Sequence, residues 1–171
     1  MDVALLVLRV VIGLYLIGHG TQKLFGWLGG PGIAGTQGMM SSMGFRPPQI
    51  WAWAAGAAEA GGGLLLLLGL LNPLGSLAII ASMLVAITTV HMGKGFFSTT
   101  GGPELPVENI AAAVAVAIAG AGRFSLDSLF HIALPEPVVG IVFAVLTLAG
   151  VAAALISRRM QAAGTSEHSA A

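Results

Sequence analysis

The chain has 171 residues, 56% of them hydrophobic and only 8% charged, where an average soluble domain carries about 25% charged residues. With a mean hydropathy of +0.93, this composition excludes a soluble enzyme and predicts an all-α integral membrane protein, a bundle of transmembrane helices. Seven basic and seven acidic side chains leave no basic excess to neutralise phosphates, which excludes nucleic acid, and the absence of cysteine removes disulfides, thiolate nucleophiles and every cysteine-bound cofactor.

The first apolar run, residues 3–25, has no basic segment before it and no small-residue cleavage pattern after it, so it reads as a retained membrane helix and not a signal peptide. It is interrupted by Arg9, His19 and Lys23. Residues 26–49, rich in Gly and Met, read as a long loop. A second helix is predicted over 50–71, with Glu59 inside it, and the breaker pair Asn72-Pro73 turns the chain tightly into a third helix over 74–92. Residues 93–104 form a second loop. A fourth, short helix over 105–121 starts beside Pro106 and stops at the glycines 120–122. A fifth, over 138–156, is closed by Arg158 and Arg159, and the tail 157–171 reads as disordered. The organisation is a four-helix core over 1–127, a linker over 128–137, an additional transmembrane helix and the tail.

Because membrane helices alternate in direction, both long loops fall on one side of the bilayer, which gathers His19, Lys23, Trp51, Trp53, His91 and Glu104 toward one end. Gly56 with Ala60, and Ala58 with Gly62, are small-residue pairs that let helices approach closely in lipid.

At about 100° per residue, Arg9, His19 and Lys23 lie within about 80° of one another on the first helix. A cation inside hydrocarbon costs at least ~2.5 kcal/mol, so that face looks into the bundle. Glu59 lies ~14 Å into its helix, near the midplane. If His19 marks the interface, Arg9 is its natural ion-pair partner; if the first helix sits higher, Lys23 or His19 is. Such a pair can simply fix helix register, or it can serve a proton relay or a ligand pocket, the default reading of ionisable groups at membrane depth. The geometry of the predicted bundle places His19, Lys23, Glu59, His91 and Glu104 around one pocket at the loop end, with Trp51 and Trp53 forming an interfacial belt or packing on a ring.

Other motifs carry less. Gly30-Pro31-Gly32-Ile33-Ala34-Gly35 matches a dinucleotide-binding pattern by letter but follows a membrane helix instead of a strand. Met39, Met40, Met43 and Met92 with His19 and His91 are of a type that suits copper(I), but Met is also a common filler of apolar loops, and no metal site is assigned. No serine sits in a nucleophile elbow.

The sequence resembles the DoxX family of small bacterial membrane proteins. The resemblance rests on Leu8-Arg9, Gly18-His19-Gly20-Thr21-Gln22-Lys23-Leu24-Phe25-Gly26, Glu59-Ala60-Gly61-Gly62-Gly63 with the leucine run to Gly69, His91 through Gly95-Phe96-Phe97, Gly101-Gly102-Pro103-Glu104, and Gly122-Arg123-Phe124-Ser125-Leu126-Asp127. Together these span residues 3–127 in order. The family takes its name from a subunit associated with a thiosulfate:quinone oxidoreductase, and its members look like four-helix membrane bundles labelled oxidoreductases. The resemblance therefore implies a plasma (inner) membrane protein near quinone and sulfur or oxidative-stress chemistry, with a quinone as the implied cofactor and soluble redox enzymes as implied partners besides the lipid bilayer. Self-association into a homo-oligomer is left open. The fifth helix lies beyond the four-helix core, and the missing cysteines separate the chain from thiol-oxidising quinone reductases.

The leading expectation is a redox-associated membrane subunit that binds a quinone or small anionic sulfur ligand, with Arg9, His19, Lys23, Glu59, His91 and Glu104 as ligand or proton-relay groups. A proton-coupled transporter and a non-catalytic scaffold for redox enzymes are the alternatives. Lys23, Arg46, Lys94, Arg158 and Arg159 share a side under a five-helix arrangement, so the positive-inside rule places both loops and the C-terminus in the cytoplasm.

Overall fold

The computed structural model describes residues 1–134 and 138–168, and no strand occurs among them. The helices are α1 Asp2–Phe25, α2 Gly32–Ser42, α3 Pro48–Leu68, α4 Leu74–Ala86, α5 Glu104–Ala119, α6 Leu126–Leu129 and α7 Val138–His168. Among the described residues four stretches are long and apolar enough to cross a membrane: Asp2–Phe25, Pro48–Leu68, Leu74–His91 and Gly140–Arg158.

The outer surface is the apolar one. On α1 the buried stripe is Arg9, Gly13, Leu16 and Gly20, whereas Val3, Val7, Val11 and Leu14 are exposed. In water this would be an inverted amphipathic helix. In lipid it is the stable arrangement, because the aliphatic side chains meet hydrocarbon while small residues and the cation face protein.

Glycines set the antiparallel α1–α3 seam. A Cβ on Gly13 would lie 2.8 Å from the Gly63 carbonyl oxygen, one on Gly63 2.8 Å from the Gly13 oxygen, and one on Gly20 would collide with the Ala60 backbone. The small residues of α3 thus serve two partners. Gly56, Ala60 and Gly63 face α1, while Gly62 faces α4, where an added Cβ would meet the Gly75 oxygen at 3.0 Å. Beyond this seam, Leu16, Leu66, Ile79, Met83, Ala113 and Val116 form one buried core, and Met40, Phe45, Ala52 and Ala154 form a second.

Several elements differ from expectation. Residues 26–49 are not a loop throughout: a 3₁₀ turn at Trp27–Gly29 leads into α2. Glycine lowers helix propensity, but burial of Thr36 and Met40 overrides it, and the Thr36 hydroxyl pins α2 to the end of α1 by donating to the Lys23 carbonyl at 2.9 Å. The third predicted helix is α-helical only to Ala86 and continues as a π-helix over Ile87–His91. There the hydroxyls of Thr88 and Thr89 donate to carbonyls one turn back, those of Leu84 and Val85. The fourth predicted helix is α5, whose 16 residues span ~24 Å, short of the ~30 Å hydrocarbon core.

At the C-terminal end, α7 does not stop at 156 before a disordered tail but runs to His168. Ser157 to Ala163 contains good helix formers and no proline. Of the expected linker, 128–137, the first two residues complete α6 and residues 135–137 lie outside the described residues, as do 169–171 of the expected tail.

The bundle is polarised as expected. At the loop end α1 finishes, α3 begins, the π-segment finishes and α5 begins. There Arg158 Nε of α7 donates to the Met43 carbonyl at 2.7 Å.

Candidate functional site

Glu59 is held at the centre of the site by three helices. Two of them follow from register: with Gly20 against Ala60, the last turn of α1 brings Lys23 beside Glu59, and Glu59, a little over two turns before the end of α3, lies level with Ser82, a little over two turns after the start of α4. Glu59 is only 2% exposed. Its Oε1 accepts from the Lys23 ammonium and from the Ser82 hydroxyl, the latter at 2.9 Å, while its Oε2 is buried with no hydrogen-bond partner. The carboxylate therefore carries a strong acceptor that the described residues leave unused. Leaving a buried charged acceptor unmade is costly, at ~1–3 kcal/mol or more.

The Arg9–Glu59 pair that the sequence admitted does not form. Arg9 lies fourteen residues before Lys23, ~21 Å along α1, which places it at the opposite end of the bundle. Its fully buried guanidinium donates to the carbonyls of Leu66 at 3.0 Å, Leu67 at 3.1 Å, Phe124 at 3.0 Å and Ala121. These are carbonyls at or beyond the C-terminal ends of α3 and α5, where a cation opposes the negative end of each helix dipole. Asp127 completes that end, with its carboxylate oxygens accepting from the backbone N–H groups of Leu71 at 2.8 Å and Asn72 at 2.9 Å. The Gly122–Asp127 segment and Arg9 are thus a structural clasp around the turn.

Glu59 and Lys23 line a cavity of about 220 Å³. Met39, Met40, Met43 and Phe45 cover its loop end, and Trp51, Ala54, Ala55 and Ala58 supply the α3 wall. The wall made by α4 and the π-segment runs from Ala81 to Val90, and α7 contributes Gly150, Val151 and Ala154. Alanine and glycine at these positions create the space, and apart from the Lys23–Glu59–Ser82 group and Thr89 the lining is apolar. Trp51 Nε1 donates to the Arg46 carbonyl at 3.2 Å, which fixes the indole at the loop end of the cavity.

The other expected pocket residues lie elsewhere. His19 is at the edge of the buried stripe of α1 and packs edge-on against the Tyr15 ring, with centroids 4.5 Å apart. His91 Nδ1 is 2.7 Å from the Gly101 carbonyl oxygen, so it ties the π-segment to the following loop. Glu104 accepts from the Ser98 N–H at 2.7 Å, and this backbone hydrogen bond holds its carboxyl below the usual carboxylate range. Trp53 is half exposed on the outside of α3, where an interfacial indole belongs. Of the expected set, Lys23, Glu59 and Trp51 come together. No group of three or more His, Asp or Glu residues that could hold a metal occurs among the described residues.

Sequence reasoning missed Ser82, the small-residue lining and the α7 wall. Counting from Asn72-Pro73 sets Ala86 opposite Glu59, and the level shifts to Ser82 because α3 already ends at Leu68 with Gly69 as its cap. Ala58 reads as a packing residue until the occupied faces of α3 are known.

The model of the DoxX family matches residues 4–92, just over half of the chain. No curated protein and no solved structure matches it.

Proposed function

The chain belongs to the DoxX family, and from that premise we propose that this multi-pass membrane protein is a redox-associated subunit whose cavity binds a quinone-type ring, preferentially in its reduced, hydroxyl-bearing form. The observation that carries this reading is the unpartnered Oε2 of Glu59 in an apolar cavity. A hydroquinone hydroxyl donates a hydrogen bond, the group that Oε2 lacks. A quinone carbonyl only accepts, and Lys23 is the cation available to it.

The same geometry argues against the small sulfur anion. Lys23 is already neutralised by Glu59, and the remaining acceptor would repel a second negative charge at short range. The fit to a reduced ring is instead chemical: an aromatic wall at Trp51, an adaptable methionine wall at Met39, Met40 and Met43, and one strong acceptor. When bound, such a group supplies two-electron chemistry. The chain's own residues orient it, exclude water and accept a hydrogen bond at Glu59 Oε2.

Binding is favoured over passage. Beyond Glu59 the bundle is filled by the core of Leu16, Leu66, Ile79 and Val116 and closed by the Arg9 clasp. The concentration of Lys and Arg at the loop end supports a plasma-membrane orientation with that end and the end of α7 in the cytoplasm.

The test is ligand retention. Purified in mild detergent, the wild-type protein should carry stoichiometric lipid-soluble quinone, and Glu59→Gln should lose most of it. Equal retention by both, or none by the wild type, would contradict the reading.

A further inference from the structure

The cavity is too small to enclose a whole ligand. At about 220 Å³ it lies below the ~300–1,000 Å³ of pockets that engulf drug-sized molecules. It has room for a head group, so the remainder of a larger molecule must leave through a gap in the wall.

The gap can be located from residues that line the cavity and are also exposed on the outside: Ala54 of α3, Gly150 of α7 and Met39 of α2. Met39 lies at the loop end, where its flexible thioether covers the opening. Ala54 and Gly150 have no such cover. Gly150 is eight residues before Arg158, ~12 Å along α7, and Ala54 is six residues after Pro48, ~9 Å along α3. With about 15 Å from interface to midplane, both lie at the depth of the hydrocarbon. Helix α7 packs along α4, and its deep contact with the rest of the bundle is at Ala154, near the loop end. Toward α3 it leaves a slot with walls of Ala and Gly, and a Cβ added at Gly150 would meet no atom within 4 Å.

We propose that the cavity opens sideways into the bilayer between α3 and α7, and that its occupant is an amphiphile whose hydrogen-bond-donating head lies at Glu59 and whose apolar chain runs out past Ala54 and Gly150 into the lipid. This rests on the reading of Glu59 as the head-group acceptor and adds the chain and its route. The slot offers no polar group to a water-soluble molecule, whereas a chain lying in it exchanges contact with lipid for contact with protein at little cost. The toward-water end is shut by Phe45, Trp51 and Met40, packed in one cluster and tied down by Arg158. A headgroup arriving from the membrane reaches Glu59 without crossing that end.

The experiment compares two probes on the full chain in lipid nanodiscs: decyl-substituted hydroquinone and hydroquinone with no tail, both kept reduced. Gly150→Leu places a side chain in the slot where the backbone has room for it, and Ala54→Leu does so from the other wall. The expected result is a loss of affinity of about tenfold or more for the tailed probe and a change of less than about twofold for the tail-less one. Unchanged binding of the tailed probe in both variants overturns the route. Equal loss of both probes also overturns it, because the added side chain would then be filling the head-group space. Tail-less binding that survives Glu59→Gln removes the head-group reading itself, on a measurement that does not involve the slot. A phospholipid acyl chain that resists displacement by the tailed probe would overturn the proposed occupant.

Discussion

Ser82 donates to the same Glu59 oxygen that takes the Lys23 ammonium, at 2.9 Å, while the other oxygen of that carboxylate has no partner among the described residues. Three helices therefore converge on one atom, and its twin is left free beside the cavity. An ion pair that served only to fix helix register would be expected to satisfy both oxygens, because every unused acceptor in the interior is a cost. That asymmetry is the observation on which the proposed head-group site rests.

Removing the cation should expose that cost. Lys23→Met leaves the buried Glu59 carboxyl without its main partner, and breaking a buried pair this way typically costs about 3–5 kcal/mol. Thermal unfolding in detergent should show the loss. Ser82→Ala, which removes one hydrogen bond, should cost about 1 kcal/mol. If Lys23→Met were as mild as Ser82→Ala, the pair would not be holding α1 to α3.

The Arg9 clasp should be a matter of stability alone. Arg9→Met strands four carbonyls at the turn end and should cost at least about 3 kcal/mol, and Arg9→Lys should rescue little, since an ammonium lacks the planar fork. At ~21 Å from Lys23 along α1, the folded fraction of either variant should bind a hydroquinone with unchanged affinity. A shift in affinity without loss of stability would make Arg9 part of the site.

The loop around Ser98 should respond to acid. The folded carboxyl of Glu104 lies below its ordinary range because it accepts from the Ser98 N–H. Its contribution is therefore fully present above the ordinary carboxylate range and is lost as pH falls through the lowered folded value. Amide hydrogen exchange at Ser98 should accelerate across that acidic window in the wild type, over and above the intrinsic pH dependence. Glu104→Gln should abolish the extra response, and a response unchanged by that substitution would assign it to another group.

Two glycines in the bundle should behave oppositely. Gly20→Leu drives a side chain into the Ala60 backbone and should cost about 1–3 kcal/mol or prevent assembly. Gly61→Ala meets no atom within 4 Å and should stay within about 0.5 kcal/mol of the wild type. Equal effects would contradict the α1–α3 seam.

The apolar segments were legible because hydropathy and breaker residues mark where helices cross and turn, and Asn72-Pro73 alone fixes the α3–α4 hairpin. Depth was not legible. Arg9, His19 and Lys23 fall on one side of α1 by periodicity, but which of them meets Glu59 depends on the vertical offset of α1 against α3, and that is decided by the Gly13–Gly63 and Gly20–Ala60 contacts. Helix α2 was hidden by its glycines, whose poor intrinsic propensity is outweighed by the burial of Thr36 and Met40. His91 and Glu104 were placed at the correct end of the bundle, yet local hydrogen bonds to Gly101 and Ser98 hold them away from the cavity, and sequence spacing carries no sign of those bonds. The α7 wall was unreadable, because a uniformly apolar helix does not disclose which face meets protein and which meets lipid.

Whether Glu59 Oε2 receives the head group of a lipid-soluble ligand is read straight from a structure of the full chain in nanodiscs with bound decyl-substituted hydroquinone. A ring hydroxyl oxygen should lie within about 2.5–2.7 Å of Oε2, the span of an O–H···O⁻ hydrogen bond, with Lys23 and Ser82 still on Oε1 and the ring against Trp51. A ligand bound elsewhere, with Oε2 satisfied by a protein donor or an ordered water, would contradict it.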